Sequence, residues 1–187
     1  MVAQTCPEVG TIERGIMNGI RGKAKACFVH GGLMDNLFAK GELDHLPDCM
    51  KMIRDHGMPA GIAGHNPQVH LWARDNLDID FHMCSYYNPT SRVNRPDYVP
   101  GQTEKYDHAD RALMVETIPK LHKPVIHYKV MGAGRNDPRE ALGVVGSCSR
   151  ANDAVCVGIY TKDRPDEIAQ DIALVEELVQ PAARERQ

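Results

Sequence analysis

The feature that most limits what this chain can fold into is a regular alternation of short apolar runs with amphipathic helical stretches. The apolar runs are residues 24–30, 60–64, 79–87, 125–131 and 154–159. A helical pattern over 5–22 precedes the first run. Another spans roughly 44–56, with Leu43, Leu46, Cys49, Met50 and Ile53 at helical spacing and Gly57 as its stop. A short helix follows with Val69, Trp72 and Ala73 on one side, and a longer one over 108–122 carries Leu113, Ile118 and Leu121. The last two helices open at Asn136-Asp137-Pro138 and at Asp163-Arg164-Pro165, the final one carrying Ile168, Ile172, Val175 and Leu178.

Strands separated by helices imply parallel pairing through βα crossovers. The runs are continuously apolar rather than alternating, as in sheets buried on both faces. An open doubly wound sheet and a barrel share this pattern. The reading is one α/β domain over 1–187, a parallel (β/α) TIM-barrel type of five βα units preceded by a helix.

Composition closes off several function classes. The chain has 187 residues, a net charge of −3 and no Lys/Arg run, which argues against nucleic acid as a partner. The apolar runs are strand-sized, too short to span a bilayer. The first residues lack the basic start and apolar stretch of a signal peptide. Six cysteines (Cys6, Cys27, Cys49, Cys84, Cys148, Cys156) are scattered with no Cys-x-x-Cys, and Cys27, Cys84 and Cys156 fall inside apolar runs. That pattern suits a reducing cytoplasm rather than a disulfide framework.

In α/β sheets and barrels, function collects where strands run into loops at their C-terminal ends. Those ends carry His30, His65-Asn66, Tyr86-Tyr87-Asn88, Lys129 and Arg135. Strand alternation puts His127 and Lys129 on one face and Ile126, Tyr128 and Val130 on the other. If the apolar face packs on helices, His127 and Lys129 point into the barrel. A Lys there must be paired or used. The stretch Gly132-Ala133-Gly134-Arg135 before a helix, with Thr161 and Lys162 in the neighbouring turn, suits an anion such as phosphate. A tight βα turn is the plainer reading of the same glycines. His30, His65 and His127 on successive strands offer a divalent metal as an alternative, although no compact ligand motif accompanies them. The long connection over 89–107, with Tyr98 and Tyr106, would overhang the site as a lid.

Taken in order, these landmarks resemble the aldo-keto reductase superfamily. Cys27-Phe28-Val29-His30 followed by Asp35 is similar to the family's fourth strand, which ends in a catalytic His. Gly61-Ile62-Ala63-Gly64-His65-Asn66 is similar to its fifth, and Tyr87-Asn88-Pro89 to the end of its sixth. Tyr128-Lys129-Val130-Met131-Gly132-Ala133-Gly134 is similar to its seventh strand and cofactor loop. Gly158-Ile159-Tyr160-Thr161 before Pro165-Asp166-Glu167-Ile168 is similar to its eighth. The resemblance implies strands four to eight of an eight-stranded barrel, with the family's catalytic Asp, Tyr and Lys on strands before them.

It also implies a soluble oxidoreductase acting with NADP or NAD on a small carbonyl or sugar-like molecule. By the resemblance catalysis would fall to His30, the one tetrad member with a counterpart here, with Lys129 joining it from its expected place inside the barrel. Gly132, Gly134, Arg135, Thr161 and Lys162 would hold the cofactor, and His65, Asn66, Tyr87 and Asn88 would line the substrate. Tyr128 would stack on the nicotinamide, although strand alternation reads it as outward. A metal-dependent isomerase, lyase or hydrolase is the alternative class, and a non-catalytic barrel fragment a third. Open sheet edges would favour self-association.

Overall fold

The computed structural model describes residues 1–88 and 105–181. Its strands are β1 (Val2–Gln4), β2 (Ala26–Val29), β3 (Ala60–Gly64), β4 (Phe81–Ser85), β5 (Val125–Tyr128) and β6 (Ala154–Cys156). The helices are α1 (Ile12–Arg21), α2 (Gly31–Lys40), α3 (Leu46–Asp55), α4 (Pro67–Asn76), α5 (His108–Thr117), α6 (Pro138–Cys148) and α7 (Glu167–Leu178). Six parallel strands, not five, form one sheet in the order β1-β2-β3-β4-β5-β6.

That order resolves the ambiguity in the apolar pattern. A doubly wound sheet reverses strand order at a switch point; this sheet never reverses. Every crossover runs the same way, as in a barrel opened out. The helices pack on one face only. Cys27, Val29, Ala60 and Ile62 meet α1 to α4 there, and Cys84, Val125 and Val155 join the cluster that includes Met114, Leu142, Val145 and Leu178. The opposite, inner face carries Phe28, Ala63, Phe81 and Met83, with Ala26, Ile126 and Tyr128 packed against them.

Three helices have starts readable from an Asn or Asp side-chain cap. The Asn66 side chain accepts the Gln68 amide, Asp107 that of Ala109, and Asp137 that of Glu140, each leading into α4, α5 and α6. The last helix departs from expectation, since Asp166 rather than Asp163 occupies its N-cap position, without a side-chain cap. No residue of α7 is buried, and Ile168 and Ile172 are exposed. It meets α6 at Gly146, where an added Cβ would strike the Leu178 carbonyl.

Helix α2 is a further departure, because Gly31-Gly32 reads as a turn. His30 holds it open: its Nδ1 accepts the Leu33 amide at 3.3 Å. The helix then buries Met34, Asp35 and Leu37. The six cysteines form no disulfide; Cys27 and Cys84 lie in the core while Cys156 is exposed on the inner face. Among the described residues no helix is long and apolar enough to cross a membrane.

Candidate functional site at the strand ends

The polar residues at the strand ends fall into two groups, and the structure divides them differently from simple alternation. His127 is fully buried on the helix side, with Nδ1 3.0 Å from the Tyr86 hydroxyl and Nε2 3.4 Å from Ser149 Oγ. Ile126 and Tyr128 face inward. The expectation that His127 points into the barrel and Tyr128 outward is therefore corrected. In a sheet apolar on both faces, residue polarity does not tell the faces apart.

Lys129 reaches the site by a different route. Its φ of 59° lies in the left-handed region, which ends the strand's alternation. The side chain then swings to His65, placing Nζ 3.0 Å from Nε2. On the other side of the ring, His65 Nδ1 lies 2.6 Å from Asp35 Oδ2. The buried Asp35 carboxylate also accepts the backbone amides of His65 and Asn66, each at 3.1 Å. Burial pushes the Asp35 carboxyl up, but these hydrogen bonds and the His65 ring outweigh it and hold it below the usual carboxylate range. An ionised Asp35 accepts a hydrogen bond from His65 Nδ1–H, which leaves the Nε2 lone pair facing the Lys129 ammonium. Asp35, His65 and Lys129 thus form a hydrogen-bonded line from the interior outward.

Tyr128 completes this corner. Its ring centroid lies 6.2 Å from that of His65, and its hydroxyl rests near Gly31, whose missing Cβ leaves the space. Beside it opens a cleft of about 560 Å³, lined by Tyr128, Lys129, Ala133, Gly134, Cys156 and Tyr160 among others. The loop wall is shaped by left-handed backbone at Gly132, Ala133 and Gly134. Gly132 suits the positive φ there, and an added Cβ would sit 3.1 Å from the Asn136 side-chain amide.

The remaining expected residues are placed as follows. His30 caps α2, so its Nδ1 is the acceptor and its Nε2 carries the proton. Asn66 is occupied as the cap of α4 while its amide donates to Asp35. Tyr87 is fully buried, its hydroxyl accepting from Asn136 at 2.6 Å. Asn88 donates its backbone amide to Asp110. Neither Tyr87 nor Asn88 lines the cleft.

Arg135 stacks on Tyr106, 4.3 Å from the ring centroid, and donates to the Gly132 carbonyl. Thr161 and Lys162 lie in an exposed turn outside the cleft, whose wall includes the Glu167 carboxylate. Among the described residues no three His, Cys, Asp or Glu side chains converge as metal ligands. With His127 on the helix side, the alternative metal set His30, His65 and His127 is not assembled. Of the proposed lid, Tyr98 and residues 89–104 lie outside the described residues. Tyr106 does line the cleft.

Asp35 as the partner of His65 is what the sequence did not disclose. It lies far along the chain, on a helix hidden behind two glycines.

A second imidazole pair sits beneath the sheet. His70 and His82 are buried with their Nδ1 atoms 3.2 Å apart, and His82 Nε2 has no hydrogen-bond partner among the described residues. Burial pushes His70 down to about 4; burial, then His70 and the nearby arginines, push His82 down to about 3. The unfolded chain binds these protons near pH 6.5, so stability is complete above that pH and is lost as pH falls toward 4 and 3. Denaturant melts should show a loss of about 4 kcal/mol by pH 5, roughly 2 per imidazole. His82→Phe should halve that slope, whereas equal stability at pH 7 and pH 5 would contradict the pairing.

A one-directional parallel sheet, helices on one face and polar groups at the strand ends define an α/β half-barrel of the TIM type. Among solved structures it is similar to a provisionally assigned aldo-keto reductase from Pseudomonas aeruginosa, with a TM-score of 0.57 and 17% identity over 89% of this chain. The chain spans 59% of that protein's length, and the likeness is one of fold. Neither a protein-family model nor a curated protein matches the sequence.

Proposed function

We propose that this half-barrel carries an aldo-keto reductase-like oxidoreductase site, reducing a small carbonyl or sugar-like substrate with NADP or NAD. The observation that carries the reading is the Asp35–His65–Lys129 line ending at a cleft beside Tyr128. The residues present fit the nicotinamide–ribose end of the cofactor. Tyr128 offers an aromatic face on the inner side of the sheet, and Ala133, Gly134 and Gly158 leave room for close approach. When bound, the nicotinamide supplies the hydride.

The chain's own residues manage the proton and the position. Lys129 donates to the carbonyl oxygen as charge develops there. His65 orients the ammonium through its Nε2 lone pair, while Asp35 fixes the imidazole tautomer. In the related family that proton comes from a Tyr on an earlier strand; here Lys129 would supply it. His30, with its Nε2–H, is a second donor toward the same oxygen. Arg135 and Lys162 would meet the cofactor phosphates only if Arg135 leaves Tyr106. The test is NADPH oxidation by the purified chain across a panel of small aldehydes. Turnover supports the reading, and folded protein without turnover on any aldehyde counts against it.

The chain is further proposed to self-associate. The sheet ends at β1 and β6, and the inner-face residues Val2, Gln4, Ala154 and Cys156 are exposed. Parallel edges of this kind invite pairing with another chain. Light scattering on the purified chain should give a mass above 20.8 kDa; a monodisperse monomer at that mass would contradict it.

A further inference from the structure

The geometry around Lys129 points to a covalent chemistry that needs no cofactor. We propose that Lys129 captures small aldehydes as an imine, with His65 as its proton acceptor.

Three observations carry this. A lysine becomes a nucleophile only when its ammonium loses a proton, and an acceptor must stand within hydrogen-bond reach. His65 Nε2 stands 3.0 Å from Lys129 Nζ. The imidazolium formed by that transfer keeps its Nδ1–H on the buried Asp35 carboxylate at 2.6 Å, so the charge it gains is met at once.

The second observation is the backbone. A lysine with φ of 59° holds a conformation that non-glycine residues rarely adopt, and such strain collects where a side chain must be aimed. Continuing the strand would have sent this side chain to the helix layer beside His127. The left-handed residue redirects it to His65 and the cleft instead. The third is access. Lys129 is half-buried yet lines the cleft, whose Tyr128, Val157 and Ile159 walls suit a small, mainly apolar aldehyde.

The atoms balance without an external oxidant or reductant. His65 takes one proton from the ammonium, and the free amine nitrogen attacks the carbonyl carbon. The carbonyl π pair moves to oxygen, which takes one proton from the attacking nitrogen, giving a neutral carbinolamine. The nitrogen lone pair then forms the C=N bond as the hydroxyl leaves, with His65 returning its proton to make water. The product is a protonated imine on Lys129 plus one water. Such an adduct is open to addition or proton loss at the neighbouring carbon, as carbonyl–lysine chemistry allows.

The experiment treats the folded chain with acetaldehyde and sodium cyanoborohydride, then maps the reduced N-ethyl adduct by peptide mass spectrometry. Exposed Lys162 is the internal reference. Lys129 should be labelled at least about tenfold faster than Lys162 in the folded chain. In urea the two lysines should react at equal rates. His65→Gln should bring Lys129 down to the Lys162 rate, with circular dichroism confirming the fold. The wild-type comparison of folded and urea-treated chain stands even if that variant does not fold. Labelling of Lys129 no faster than Lys162 in the folded wild type would overturn the proposal, as would full labelling in a folded His65→Gln variant. NADPH is absent throughout. Trapping without nucleotide binding upholds this inference and removes the reductase reading, and nucleotide binding without trapping does the reverse.

Discussion

Lys129→Met lowers kcat for NADPH-dependent aldehyde reduction by about two to four orders of magnitude, or about 3–5 kcal/mol of transition-state stabilisation. Methionine keeps the length and apolar stem of the side chain but removes the proton. The effect falls on kcat rather than KM, because the donated proton matters only as charge builds on the carbonyl oxygen. Asp35→Asn should cost less, since it leaves the donor in place and disturbs only the His65 tautomer. Steady-state kinetics on the three proteins gives the order. A Lys129→Met enzyme within threefold of wild type, or one altered only in KM, would show that the proton comes from elsewhere.

Asp153→Ala destabilises the fold by about 3–5 kcal/mol, the usual cost of leaving one half of a buried ion pair without its partner. The Asp153 side chain is 1% exposed and accepts the Val125 amide at 2.8 Å, the Arg150 amide at 2.9 Å and the Arg150 Nε at 3.0 Å. His127 Nε2 adds a contact at 3.6 Å. Burial would raise this carboxyl, yet the His127 and Arg150 hydrogen bonds hold it far below the usual range. Arg150 in turn donates to the Leu121 and Lys123 carbonyls, so one carboxylate ties the start of β5 to the start of β6. Exposed pairs such as Arg139–Glu177 and Lys51–Asp55 should add little, because solvent screens them. Urea melts of Asp153→Ala and Glu177→Ala at pH 7 make the comparison. Equal, small losses would remove Asp153 as the staple.

Much of the architecture was legible because the apolar runs are short, continuous and bounded by turn residues. The runs at 24–30, 60–64, 79–87, 125–131 and 154–159 each contain a strand. β1 was not legible: Val2–Gln4 has three residues, one of them polar, and its burial pattern is that of an exposed edge. α2 was masked by Gly31-Gly32, which lower helix propensity and read as a stop, while the cap comes from a histidine side chain.

At the site, the strand-end rule found His65 and Lys129 without finding what joins them. Alternation holds only while the backbone stays extended, and Lys129 leaves that region. It therefore paired Lys129 with His127, whose ring lies among Tyr86, Ser149 and Asp153 on the opposite face. Tyr128, read as outward from polarity, is the inner-face residue that the family resemblance implied. Of the glycine loop read as an anion site, Ala133 and Gly134 line the cleft, whereas Arg135 stacks on Tyr106 and Lys162 lies outside the cleft.

The proposed nicotinamide site is the cleft beside Tyr128 and Lys129, next to the Asp35–His65–Lys129 line. NADPH titration of the folded chain, followed by the cofactor's own fluorescence, tests it most directly. The account expects saturable binding, at least about tenfold weaker in Tyr128→Ala, where the stacking surface is lost. Fluorescence that stays linear in NADPH for the folded wild type, or equal affinity in the two proteins, would contradict it.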